Sequence, residues 1–293
     1  MIKCPWCGTP SEHKTLEVKD YFLSQETFQL YKCDHCGLLF TVPRPDSGQI
    51  GKYYQSEKYY SHQQNNKGFV PRIYEIVKSF NIKKKGIYAV GGLTQGKLLD
   101  IGCGVGDFLC HVKRMGWEVV GIEPSSAAKA IAEVRLGFPP LDPSESSNLP
   151  DHSFDVITMW HVLEHIDDLK FQISELNRLL KPNGRLIIAL PNYQSFDCQY
   201  YNDKWAAWDV PRHLNHFSPD AIRSIINSVG IDFVDFQKLK WDAYYISYMS
   251  ECYLKHSLPL LRGAWVGFKS NCRASRSGMY SSLVYRFRKS SDE

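Results

Sequence analysis

Short continuous apolar runs alternate with segments of helical period through the middle of the chain. "KLLDI" (97–101), "WEVVGI" (117–122), "FDVITMW" (154–160) and "RLIIALP" (185–191) read as strands buried on both faces. Between them, "DFLCHVKRMG" places Phe108, Leu109, Val112 and Met115 on one stripe. "DLKFQISELNRLLKPNG" does the same with Leu169, Ile173, Leu176 and Leu180, and Pro182, Asn183 and Gly184 stop it. "SPDAIRSIINSVG" carries its own boundaries: Ser218 as N-cap, Pro219 in the first turn and Gly230 at the close. "MYSSLVYRFRK" supplies a late strand. Strands alternating with helices predict an α/β fold with a doubly wound, mostly parallel sheet over residues 96–293.

The first 45 residues have a different texture. "CPWCG" and "CDHCG" place Cys4, Cys7, Cys33 and Cys36 as two matched pairs, and "EVKDYFLSQETFQLYK" between them reads as a hairpin turning near Ser24–Gln25. Two such turns complete a tetrahedral zinc shell with no open position, which predicts a structural metal on a small N-terminal ribbon. The other five cysteines, Cys103, Cys110, Cys198, Cys252 and Cys272, are expected as small buried hydrophobes. Residues 46–95 form a linker and a helical lead-in, with a tyrosine cluster ("KYYQSEKYYSH") and apolar Ile73, Ile76, Val77 and Phe80 in "PRIYEIVKSF".

Composition narrows the function classes. A hydrophobic share of 43% and a net charge of +4 suit an ordinary globular chain, and no apolar run reaches the roughly 18–20 residues of a spanning helix. A cytoplasmic protein is expected. The ribbon sets five cations (Lys3, Lys14, Lys19, Lys32, Arg44) against five acids (Glu12, Glu17, Asp20, Glu26, Asp34), a poor electrostatic match for nucleic acid.

The chemistry starts at "LLDIGCGVGDFL". A strand ending in Asp100 runs into Gly102, Gly104 and Gly106 and then into a helix, the entrance of a nucleotide-binding unit. The dinucleotide fingerprint needs a third glycine where Asp107 stands, and Asp100 would repel a pyrophosphate but suit an ammonium group. Glu123, 21 residues past Gly102, can accept hydrogen bonds from both hydroxyls of a ribose. S-adenosylmethionine is therefore the expected cofactor. An NAD-dependent oxidoreductase and a non-catalytic binding protein on an α/β scaffold are the other readings.

The series "LLDIGCGVGDFL", "GIEPS", "LPDHSFDVITMWHVLEHIDD" and "LLKPNGRLIIALPN" resembles the class I S-adenosylmethionine-dependent methyltransferases, in the branch that includes ubiquinone-biosynthesis O-methyltransferases, over about residues 95–240. The two cysteine hooks, "CGLLFTVPRP" and "YYQSEKYYSH" are similar to zinc-ribbon-bearing bacterial methyltransferases that modify sugars or other precursors, though the chain is too short for the extra C-terminal domain of ribbon-bearing sugar C-methyltransferases. The resemblance implies a seven-stranded Rossmann-like sheet with the late strand antiparallel. It places Trp160 and His161 at the border of cofactor and acceptor.

Loops beyond the carboxyl ends of such strands hold ligands. Asp142, in "PPLDPSESSNLP", is a candidate partner for the adenine amino group or a turn residue. Methyl transfer to a hydroxyl needs a base, for which His161 and His213 are the first candidates and His165 and His216 the next. Residues 192–217 hold seven aromatics and read as a substrate lid or a packing insertion over a small-molecule, sugar or glycan-precursor acceptor. The apolar stretch 244–270 with its basic flank reads as a helical insertion packing on the lid or a dimer contact, or as an interfacial helix meeting anionic lipid.

Overall fold

The computed structural model describes residues 2–46, 48–54 and 82–291. The helix expected at 71–80 and most of the tyrosine cluster lie outside the described residues.

Strands β1 (Ile2–Lys3), β2 (Pro10–Ser11), β3 (Lys14–Lys19), β4 (Thr27–Lys32) and β5 (Leu39–Val42) build the ribbon. The large sheet comprises β6 (Lys97–Ile101), β7 (Glu118–Ile122), β8 (Phe154–Trp160), β9 (Leu180–Pro191), β11 (Ile231–Lys238) and β12 (Ser282–Lys289), in the order β11-β12-β9-β8-β6-β7. The pairs β7–β6, β6–β8 and β8–β9 are parallel, while β12 runs antiparallel to β9 and β11. Leu98, Val156, Ile157 and the run Leu186–Leu190 are fully buried, as continuous apolar strands covered on both faces must be.

Seven strands were expected, and six form among the described residues. The third reduces to one parallel bridge, Ile122 with Leu141, because Pro139, Pro140 and Pro143 cannot donate to a ladder. A 3₁₀ turn, Pro143–Asn148, replaces the rest. The edge strand β11 had no sequence signal strong enough to predict it.

Helices flank the sheet: α1 over 82–90, α2 (Asp107–Arg114), α3 (Ser126–Leu136), α4 (Leu169–Leu179), α5 (Phe196–Tyr201), α6 (Pro219–Asn227), α7 (Lys240–Tyr253) and α8 (Pro259–Ser277). The Ser218 hydroxyl accepts from the Ala221 amide, capping α6, and Asp168 caps α4 in the same way. Two expected stripe residues depart. Met115 is the C-cap of α2 and is 40% exposed, and Leu180 already starts β9, so the helix ends one residue earlier and "KPNG" runs within the strand. Of the scattered cysteines, Cys103 and Cys198 are buried but Cys272 lies exposed on α8.

The ribbon is not a separate bead. Its strand β5 pairs antiparallel with β10 (Asn215–His216), so a four-stranded sheet, β10-β5-β4-β3, runs from the ribbon into segment 192–217. Tyr201, Trp205 and Trp208 of that segment pack with Val18, Phe28, Leu30 and Leu39 of the ribbon and with Ile246 and Val266 of α7 and α8. Behind this layer, Arg212 is 2% exposed and donates to Asp20 at the ribbon turn (2.8 Å), to Asp209 (2.7 Å) and to the Tyr53 carbonyl (3.1 Å). Burial pushes the Asp20 carboxyl up, but the Arg212 guanidinium outweighs it and holds the group below its usual range. The Asp20 oxygens also accept from the amides of Phe22, Leu23 and Ser24, tying the turn to the same charge.

Removing one partner of a buried pair strands the other. Arg212→Ala should lower unfolding stability by about 3–5 kcal/mol. Urea titration checks this, and Asp20→Asn in the Arg212→Ala background should cost clearly less than it does alone.

Candidate functional site

At the carboxyl end of β6 the Asp100 carboxylate is buried, with the Thr158 hydroxyl (2.6 Å) as its hydrogen-bond donor. Burial raises its pKa to about 7, with Thr158 and the nearby Lys85 ammonium working against that shift and Glu123 adding to it. Glu123, just after β7, accepts from the Gly104 amide (2.8 Å) through one oxygen and from the Ser125 amide (2.8 Å) through the other. These bonds hold the glycine turn against the second strand. Gly102 and Gly106 are hemmed in by Val162 and by Ala132 and Leu136, whereas a Cβ at Gly104 would meet nothing within 4 Å. The turn thus presents bare backbone beside two carboxylates.

After β8, Trp160 packs edge-on to Phe108 with the Lys85 ammonium 4.5 Å from its ring centroid, and its buried Nε1 has no hydrogen-bond partner among the described residues. His161 has a left-handed backbone, φ 58°. Its Nδ1 lies 3.4 Å from Glu164 and its Nε2 lies 3.3 Å from Asp242 at the start of α7. Burial alone would lower its pKa, yet the Asp242 and Glu164 carboxylates raise it to about 9. Glu164 is itself buried and held below its usual range: desolvation opposes ionisation, and the surrounding imidazoles, His161 first, outweigh it.

A small cavity opens on the far side of Glu164, lined also by Tyr193, Trp205, His213, Asn215 and Phe217. His213 Nδ1 bonds the Ala207 carbonyl (2.8 Å), and this carbonyl can only accept. The bond sets the tautomer and leaves the Nε2 lone pair available. His165 stands edge-on to His213 at 4.6 Å and bonds the Arg212 carbonyl. Burial lowers its pKa to about 4. His216 is bound to Thr41 of the ribbon (3.0 Å) and is pushed well down by burial, which makes it a structural histidine. The ligand atoms of Glu164, His165 and His213 lie within 4.8 Å of one another, but the charge of Glu164 is already met by His161.

Asp142 stands apart. Its carboxylate takes Lys129 (2.5 Å) and closes a capping box with Glu145, the turn role. Lys85, Thr158 and Asp242 were missed by sequence reasoning. Thr158 sits mid-strand, and Asp242 lies two residues ahead of the insertion start expected at 244.

A family model described as "Methyltransferase domain" matches residues 78–235, more than half of the chain. The chain belongs to this family. Among curated relatives, the ubiquinone biosynthesis O-methyltransferase of Alkalilimnicola ehrlichii is 33% identical over 110 residues, 35% of this chain and 44% of the relative. That of Rhodopseudomonas palustris is 32% identical over 143 residues, 46% and 55% of the two chains. The chain thus spans about half the length of the curated relatives it matches. The solved structure of an S-adenosylmethionine-dependent methyltransferase from Archaeoglobus fulgidus shares the fold, with a TM-score of 0.52 and 18% identity over 80% of this chain and 100% of that one.

The cofactor of the methyltransferase family is S-adenosylmethionine. The residues fit it: Asp100 offers an under-compensated buried carboxylate to an ammonium group, Gly104 offers open backbone, and Glu123 keeps lone pairs beyond its two amide bonds. The ribbon, outside the matched residues, holds Cys4, Cys7, Cys33 and Cys36 with sulfurs within 4.8 Å of one another, a group that could hold zinc. Gly8 and Gly37, at φ 74° and 73°, return their amides to the carbonyls of Cys4 and Cys33 and curl each hook under the metal position.

Purified protein should therefore carry one zinc per chain. Chelation should speed amide exchange not only in the ribbon but also at Leu214–His216, which β5 holds; mass-spectrometric exchange with and without chelator checks this.

Proposed function

We propose that the chain transfers a methyl group from S-adenosylmethionine to a hydroxyl of a small-molecule, sugar or glycan-precursor acceptor, with His213 as the general base. Asp100, Gly102, Gly104, Gly106, Glu123 and Trp160 would hold the cofactor. S-adenosylmethionine, when bound, supplies a methyl group activated by a sulfonium. The protein's own task is then to align the acceptor oxygen and remove its proton.

The observation that carries the reading is the His213–Ala207 bond beside the cavity, because it leaves one ring nitrogen free to take a proton where an acceptor would sit. His161 is less suited to that step. Both its nitrogens face carboxylates, and a group with a pKa of about 9 is mostly protonated at neutral pH. We assign it as a positioning residue that joins α7 to Glu164. The names of the curated relatives support an oxygen acceptor.

The test is transfer of labelled methyl from S-adenosylmethionine to a panel of catechols and sugar nucleotides. His213→Gln should lower kcat about 10²–10⁴-fold and leave the Kd for S-adenosylmethionine unchanged; unchanged turnover removes His213 as the base.

A separate prediction concerns the cofactor side. Asp100, with its pKa raised to about 7 in the free protein, is increasingly neutral as pH falls below that value, and a neutral carboxyl cannot pair an ammonium. Affinity for S-adenosylmethionine should therefore be full above pH 7 and fall by up to about tenfold per pH unit below it. Calorimetry across this range checks the slope, and Asp100→Asn should abolish it.

A further inference from the structure

Helices α7 and α8 form a tight hairpin. A Cβ on Gly263 would come within 2.6 Å of the Tyr248 Cα, and one on Gly267 within 2.8 Å of the Tyr244 Cα, so the helices meet backbone to backbone. The inner faces (Ala243, Ile246, Val266, Ala274) are spent on the core. Outside, Leu261, Trp265 and Phe268 follow one another at helical spacing and are 64%, 52% and 58% exposed, with Leu260 and Trp241 at 68% and 62%. Isolated exposed apolar residues need no explanation, but an ordered stripe of large ones does.

Charge identifies what covers it. Arg262, Lys269, Arg273 and Arg276 recur at spacings of 7, 4 and 3, a second stripe along one flank of the first. Residues 240–277 hold six cations and two acids, an excess equal to the +4 of the entire chain. Both acids are paired: half-buried Asp242 faces His161, and buried Glu251 takes Tyr201, His256 and Arg262. The Lys269 ammonium sits 3.6 Å from the centroid of Trp265, its stem lying along the apolar stripe. Apolar stripe, cationic border and two acids already paired within the protein make the pattern of a helix lying in a membrane interface. No helix among the described residues is long and apolar enough to cross the bilayer.

We propose that the outer face of the α7–α8 hairpin docks on an anionic phospholipid surface. A second copy of the chain would bring two faces of like charge together. A phosphate backbone would leave the Leu, Trp and Phe side chains in water. The proposal stands independently of methyl transfer, since no cofactor enters its test.

The full-length, zinc-loaded protein is sedimented with vesicles of phosphatidylglycerol and phosphatidylcholine, and with vesicles of phosphatidylcholine alone. The expected result is binding to the anionic vesicles that weakens as salt rises, and little binding to the neutral ones. Trp265→Ser with Phe268→Ser, both exposed and therefore tolerated by the fold, should lower the vesicle affinity at least about tenfold while the thermal midpoint is unchanged. Lys269→Glu with Arg276→Glu should do the same. Failure of the native chain to bind anionic vesicles, or binding untouched by both double variants, overturns the proposal. So does self-association in the analytical ultracentrifuge that the Trp265 and Phe268 changes abolish while the native chain ignores vesicles.

Discussion

The guanidinium of Arg212 is the point on which the segment carrying His213 depends. It lies out of water between an aspartate of the ribbon and an aspartate of segment 192–217, and such a cation is tolerable only while both partners stay in place. The next residue is His213. Thr41 of the ribbon donates to the His213 carbonyl (2.7 Å), and the Leu214 amide donates to the Glu164 carbonyl. The position of the imidazole beside the cavity is thus set from three directions, one of them Thr41 of the ribbon, 172 residues away in sequence.

The half proposed for the cofactor is built differently. Asp100, the glycine turn and Glu123 are held by the parallel sheet, the Thr158 hydroxyl and local amide bonds. The four-cysteine cluster, with zinc bound, would act on the proposed chemistry only at a distance: it clasps the ends of the hairpin, β4 pairs with β5, and β5 pairs with β10. A closed four-cysteine shell suits this role because it supplies rigidity where a ribbon of such short strands has little core of its own.

What the sequence revealed follows the range of the forces involved. The cysteine hooks, the "DIGCGVG" turn and the capped helix at Ser218 are local patterns, complete within a dozen residues, and each forms as its residues dictate. The β5–β10 pairing joins Phe40 to Asn215, and two-residue strands carry no periodicity to detect. The missing third strand could have been read from three prolines, but the resemblance to a seven-stranded family outweighed them. Four of the seven aromatics in 192–217 (Tyr201, Trp205, Trp208, Phe217) are buried. Much of that segment's apolar surface is therefore spent on packing, while Tyr193, Trp205 and Phe217 also line the cavity.

His161 joins a left-handed backbone to two carboxylates, one facing each ring nitrogen. A left-handed backbone at a β-carbon-bearing residue costs of order 1 kcal/mol or more, and it persists only when the surroundings over-determine it. Here Asp242 and Glu164 do so, one at each ring nitrogen. The same pairing that repays the strain stabilises the imidazolium, and a stabilised imidazolium is a poor proton acceptor at neutral pH. His213 makes its bond to the Ala207 carbonyl. Strain and charge pairing at His161 thus tie the end of β8 to the start of α7, while His213 is held from the ribbon side.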